Sequence, residues 1–248
     1  MSDLFEIRQG YTSLDGTHYD NIKNIAFEKR EDVSKIGNLV FYSKLPLRST
    51  IYQTFDNPKV AYKIYNKHSE CYKEDDCLIS KLSLLQKDIK LTDFPTGIIT
   101  ESGNIIGQEI VYYEGSKDIG SIGRKVPFEN LPFPPTELYL AMLNILKEMY
   151  DNKIFYMDVF EGNFMLLNPK EKTPIVKAID FEPSQIYFDY LGPLTREMFF
   201  DNLYDSINRV NNNFGLVNKC LNFYNEYSSF EETEKKIRIM DRMLQRRW

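Results

Sequence analysis

Residues 156–167 read Tyr-Met-Asp-Val-Phe-Glu-Gly-Asn-Phe-Met-Leu-Leu. Asp158 and Asn163 stand five residues apart, and the apolar run 164–167 follows at once. Downstream, Ala178-Ile179-Asp180-Phe181-Glu182 ends a short apolar strand on an acidic residue. Upstream, Val60-Ala61-Tyr62-Lys63-Ile64-Tyr65 is a strand-like run with one lysine in its middle. Each piece alone has an ordinary structural reading: Asp158 and Asn163 form a turn, Asp180 caps a helix, and Lys63 snorkels from an edge strand. Their conjunction favours a functional site. The order is consistent, and about 95 residues between Lys63 and Asp158 leave room for a helix, two strands and a long helix.

In this order the three pieces resemble the kinase fold, in both its protein-kinase and its aminoglycoside/choline-kinase branches. The resemblance runs from residue 38 to about residue 190. It implies an α+β, two-lobed fold: a small, mainly antiparallel sheet lobe followed by a helical lobe. It also implies an ATP-dependent phosphotransferase that moves the γ-phosphate of Mg-ATP to a hydroxyl of a protein serine or threonine, or of a small molecule. Such chemistry needs positioned charge more than covalent work. By this resemblance Asp158 holds the acceptor hydroxyl and takes its proton, and Asn163 and Asp180 offer oxygen to Mg²⁺, a hard cation. Lys63 reaches the inner phosphates of ATP, and Glu74, with Asp75 close behind, holds Lys63. Ile110, Val111 and Tyr112 lie in the hinge, residues 110–115, where backbone groups pair with the adenine edge. Lys44 and Arg48 supply charge from loop 43–49 over the phosphates, or are plain solvated loop residues.

Several residues depart from the family pattern. Tyr156-Met157-Asp158 stands for His-Arg-Asp, and Phe160 stands where protein kinases carry lysine and small-molecule kinases often histidine. Gly162 before Asn163, and Asp180-Phe181-Glu182, lie nearer the choline-kinase side. Loop 43–49 contains no glycine, and no Ala-Pro-Glu follows Asp180. The acceptor class therefore stays open. The alternative is a nucleotide-binding pseudokinase that works as an interaction module.

With 248 residues, 42% apolar and 14% aromatic, the chain has the material for one large domain or two lobes around a cleft. Charged residues make up 27% with both signs mixed, which argues against disorder. A net charge of −5 speaks against bulk nucleic-acid binding and against an anionic membrane. Three cysteines, Cys71, Cys77 and Cys220, form no Cys-x₂-Cys pair, so buried reduced thiols are expected. His18 and His68 are too few for a histidine-rich metal site. No signal-peptide pattern and no long apolar run stands out, and a cytoplasmic protein is expected, with ATP and a protein or small-molecule acceptor as partners.

Three segments are expected: an N-terminal extension, 1–35; a sheet lobe, 36–114; and a helical lobe, 115–248. In the extension, residues 4–14 alternate loosely before an Asp15-Gly16 turn signal, a pattern that suits a hairpin, and 28–36 suit a short charged helix. Strands are expected at 38–42, 50–55 and 60–65, then a helix over 70–87, then a hairpin of 95–100 and 105–113. Residues 116–135, rich in proline, read as a structureless connection bearing Lys117, Arg124 and Lys125. Residues 136–151 form the clearest helix, apolar on one broad face. Further helices are expected at 194–210, 216–227 and from a capping box at Ser228 or Ser229 to Trp248.

Overall fold

The computed structural model describes residues 4–12, 16–42, 49–66, 89–125, 130–181, 186–188, 193–213 and 229–245. Lys44, Arg48 and Glu74, the helices expected at 70–87 and 216–227, and all three cysteines lie outside these residues. The chain divides into two compact units: Met1–Glu114 with Phe181–Ser184, and Gly115–Asp180 with Gln185–Trp248.

The first unit is built on one seven-stranded sheet. Its strands are β1 (Phe5–Thr12), β2 (His18–Phe27), β3 (Gly37–Tyr42), β4 (Ser49–Thr54), β5 (Val60–Tyr65), β6 (Gly97–Glu101) and β7 (Asn104–Val111). Their order is β1-β2-β6-β7-β5-β4-β3. Every neighbouring pair is antiparallel except β2 and β6, which run parallel. The two expected hairpins, β4–β5 and β6–β7, are present. The N-terminal residues form the hairpin that their turn signal suits, β1–β2, and a short 3-10 turn, Arg30–Lys35.

Strand alternation assigns the two faces of this sheet. Ile25, Phe27, Tyr62, Ile64, Ile99 and Ile106 pack with Val33 and Ile36 beneath the 3-10 turn. Tyr11, Ile22, Tyr65, Ile98 and Ile105 form the other cluster. Ile105 and Ile106 are neighbours and so serve opposite faces by ordinary alternation, beside a register slip of β6–β7 between Ile99 and Thr100. Lys63 follows the parity of Tyr65. It lies on β5, two strands in from the edge, and is only 3% exposed, so the snorkelling edge-strand reading does not hold.

The second unit carries the helices α1 (Ile119–Lys125), α2 (Pro135–Asp151), α3 (Pro193–Asn213) and α4 (Phe230–Gln245). Its strands are short: β8 (Lys117–Asp118), β9 (Ile154–Tyr156), β10 (Phe164–Leu166), β11 (Val176–Ala178) and β12 (Ile186–Phe188). They form a three-stranded sheet, β11-β10-β8, and a two-stranded pair, β12-β9. The expected structureless connection is thereby corrected: Lys117 and Asp118 pair with β10, and the Asp118 carboxylate caps α1 through Ser121 N at 2.6 Å. Two residues of strand and seven of helix are too brief to leave a periodic apolar signal.

Helix α2 buries Leu138, Tyr139, Met142, Leu143, Ile145, Leu146 and Met149, and Pro135 opens its first turn, where the missing N–H costs nothing. Helix α4 buries Phe230, Ile237, Met240 and Leu244. Its cap is Ser229, whose hydroxyl accepts from Glu232 N at 3.2 Å. Tyr150 meets Phe155 and Phe230 edge-on at 5.1 and 5.2 Å between ring centroids, the separation that favours aromatic pairs.

The N-terminal hairpin pairs with β6 and is also tied by a polar link to β7, one strand further on. Lys23 Nζ donates to Glu109 Oε2 at 2.6 Å, and Thr96 Oγ1 donates to Glu109 Oε1 at 2.7 Å. The Glu109 side chain is 4% exposed and that of Lys23 36%. Removing the lysine leaves a buried carboxylate with a single neutral donor. We expect Lys23→Met to lower the unfolding free energy by about 2 kcal/mol. The Lys23→Met/Glu109→Gln double variant is expected to recover most of it in urea denaturation. A double variant no better than the single one would refute the ion-pair account.

Candidate functional site

Strand β9 delivers the chain into residues 157–163, which run extended and then close in a 3-10 turn, Glu161–Asn163. The turn is tight. Phe160 N donates to the Asp158 carbonyl at 2.8 Å, and Asn163 N donates to the Phe160 carbonyl at 2.8 Å. It brings together the two residues singled out first. Asn163 Nδ2 donates to Asp158 Oδ2 at 2.7 Å and to the Asp158 carbonyl at 3.1 Å. Both partners are pure acceptors, so the carboxamide orientation is fixed, with Nδ2 toward Asp158 and Oδ1 as the remaining acceptor. Among the described residues Oδ1 accepts no hydrogen bond.

Asp180 reaches the same loop through the backbone. Ile179 N donates to the Asn163 carbonyl at 2.8 Å, and β11 pairs with β10 directly beyond Asn163. Tyr156, fully buried at the end of β9, donates its hydroxyl to the Ile179 carbonyl at 2.9 Å. Asp180 then turns into the left-handed region, φ +65°, and its side chain is exposed. A non-glycine residue there is uncommon and marks a position held by its surroundings. Among the described residues, the next element after Asp180 is strand β12.

Helix α3 holds the loop in shape. Asn202, Ser206 and Arg209 fall on one helical face at spacings of four and three residues. Met157, Val159 and Glu161 fall on one side of an extended run. Asn202 Nδ2 donates to the Met157 carbonyl at 2.9 Å, and Ser206 Oγ to the Val159 carbonyl at 2.6 Å. Arg209 Nε donates to Glu161 Oε2 at 2.8 Å. The helix repeat thus matches the strand repeat, and three successive inward groups of the loop are satisfied from one element. Glu161 is wedged on its other side by α1, where a Cβ on Gly120 would stand 2.8 Å from Glu161 Cγ. Sequence reasoning passed over Asn202, Ser206, Arg209 and Glu161. Their signal is a polar row beside the buried Leu203, Ile207 and Val210 of an otherwise core-facing helix.

The remaining candidates belong to the first unit. Lys63 is buried in β5 directly across from Gln108 of β7. Gln108 Nε2 donates to the Phe181 carbonyl at 3.4 Å, and Phe181 stacks edge-on against Phe94 at 4.8 Å. Ile110, Val111 and Tyr112 lie at the half-buried end of β7, where Tyr112 N donates to the Lys59 carbonyl at 2.8 Å. The adjoining Tyr113 donates to the Asp93 carboxylate. Burial, and then that bond, push its phenol well above the ordinary range, so it stays protonated. Among the described residues, no helix is long and apolar enough to cross a membrane.

No family model matches the chain. No curated protein matches it either. Among solved structures it is similar to one described as WaaP in complex with acyl carrier protein, with 11% identity, a TM-score of 0.49, and coverage of 88% of this chain and 90% of that one. So slight a likeness carries neither the fold nor an activity, and the geometry of the chain itself has to support both.

Ser206 is fully buried, and no other donor reaches the Val159 carbonyl among the described residues. Ser206→Ala is expected to cost about 2 kcal/mol in chemical denaturation, because a buried carbonyl loses its donor. Ser34 makes a comparable bond to Glu31 at an exposed site, and Ser34→Ala is expected to cost about 0.5 kcal/mol or less. Equal losses would remove α3 from its role as the loop's support.

Proposed function

We propose that the protein is a Mg-ATP-dependent phosphotransferase of kinase-like fold that moves a phosphoryl group to an alcohol acceptor. The observation that carries this reading is the Asp158–Asn163 bond inside a loop also bonded to the backbone just before Asp180. In this reading Asp158 and Asp180 each contribute a carboxylate and Asn163 an amide oxygen. Asp158 orients the acceptor hydroxyl and takes its proton, and Asn163 prevents the carboxylate from rotating away. Lys63, buried in the sheet unit, serves the nucleotide's inner phosphates, and Ile110, Val111 and Tyr112 offer backbone groups to the base.

The donor set suits Mg²⁺. Asn163 Oδ1 remains as an acceptor because Nδ2 is engaged on Asp158, and Asp180 supplies a carboxylate. One or two protein oxygens, completed by substrate phosphates and water, are what this cation ordinarily takes. When bound there it would neutralise charge on the phosphates. The acceptor hydroxyl belongs to a protein serine or threonine or to a small molecule, and the chemistry at Asp158 is the same for both.

A thermal melt with and without Mg-ATP tests this reading first. At a nucleotide concentration 100 times Kd the folded state gains about 2.7 kcal/mol, and the shift is expected to vanish with EDTA and in Asp180→Asn. Absence of any shift at millimolar Mg-ATP would refute the nucleotide site and leave the interaction-module alternative. Asp158→Asn is expected to keep the nucleotide shift and lose turnover by at least about a hundredfold. Unchanged turnover would take Asp158 out of the reaction.

A further inference from the structure

We propose that the Nη edge of Arg209, backed by the ring of Phe160, seats an oxyanion carried by the acceptor, so that the hydroxyl presented to Asp158 belongs to a small alcohol bearing a phosphate or carboxylate. This rests on the phosphotransferase reading and names the acceptor class for that site.

Arg209 meets Glu161 through Nε alone, at 2.8 Å. A guanidinium placed only to neutralise a carboxylate would gain most by meeting it with two parallel N–H groups. Here Nη1 and Nη2 donate to nothing among the described residues, and the side chain is 45% exposed. That edge offers two parallel donors, the geometry that fits a carboxylate or phosphate. The charge bookkeeping permits an anion. Glu161 is matched by Arg209, and Asp118 is engaged as the cap of α1. A Cβ on Gly120 would lie 3.4 Å from Asp118 Oδ1 and 3.7 Å from Arg124 Nη1, so a second guanidinium stands beside these carboxylates.

Phe160 supplies the other half of the seat. It lies two residues beyond Asp158, is bonded through its backbone to both Asp158 and Asn163, and is 42% exposed. The Arg209 guanidinium stands 5.0 Å from its ring centroid. Stacking of this kind fixes the guanidinium plane before a ligand arrives. The ring is itself held over Gly162, where a Cβ would come within 2.7 Å of Cε1. A ring this exposed contributes little to the core, and its position beside Asp158 gives the carbon skeleton of an acceptor a flat apolar surface.

The footprint, one fork and one ring, suits a small molecule. An acidic polymer would be repelled by the exposed Glu197, Asp201 and Asp205 on the same helix and by the net charge of −5.

The test is titration calorimetry of the full chain with glycerol 3-phosphate, glycerate and uncharged glycerol, on wild type and Arg209→Lys. Lysine keeps the charge beside Glu161 and loses the fork. Wild type is expected to bind one or both anions at millimolar concentrations and glycerol not at all. The preferred anion identifies phosphate or carboxylate as the group read. Arg209→Lys is expected to weaken anion binding about tenfold while keeping the Mg-ATP melting shift, which locates the loss at the acceptor. Should Arg209→Lys fail to fold, Arg209→Gln/Glu161→Gln removes both charges of the pair together. Equal binding in wild type and variant, equal binding of glycerol, or no binding of either anion overturns the proposal. A wild type that binds the anion through Arg209 yet shows no Mg-ATP shift refutes the phosphotransferase reading instead.

Discussion

A loop that runs extended with no strand beside it among the described residues must find donors for its buried carbonyls elsewhere, since a buried carbonyl without a partner is costly. Residues 157–161 face this constraint, and α3 meets it. Its side chains take the places that a neighbouring strand would fill, with Asn202 on Met157, Ser206 on Val159 and Arg209 on Glu161. Everything proposed for the site depends on this arrangement. Only because the inward groups are fixed from behind can Asp158 and Asn163 face one another across the turn with one bond orienting both.

Coupling between the loop and Asp180 is likewise made by backbone. The Asn163 carbonyl, the Ile179 amide and the Tyr156 hydroxyl form a short relay that sets where β11 ends. No side chain of Asp180 is needed to place Asp180. Its left-handed backbone points the same way: the surroundings fix the residue.

The sheet strands and the long helices were legible in the sequence because each has a period that burial enforces. Lys63 stood out because a lone cation interrupts the apolar run Val60–Tyr65, and Asp158 with Asn163 because a strand follows them at once. What escaped notice had no period to display. Strand β8 has two residues and helix α1 seven, too few for an apolar pattern to repeat clearly. Asn202, Ser206 and Arg209 are common surface residues whose role appears only when the loop they bind is set beside them. The burial of Glu161 could not be read from the sequence, since nothing near it in the chain supplies its cation; Arg209 lies 48 positions away.

The parallel pairing of β2 with β6 bears on how the chain acquires its form. Asn24 lies against Ile98 and Phe27 against Glu101, so the inner edge of the N-terminal hairpin has no partner until residues far along the chain have been made. During synthesis the hairpin can close on itself, but one edge of it stays open. An open strand edge is a template for pairing with other chains, and pairings distant in sequence form late because the intervening loop must first be closed. The nascent protein is therefore most exposed to aggregation between the emergence of β2 and the emergence of β6.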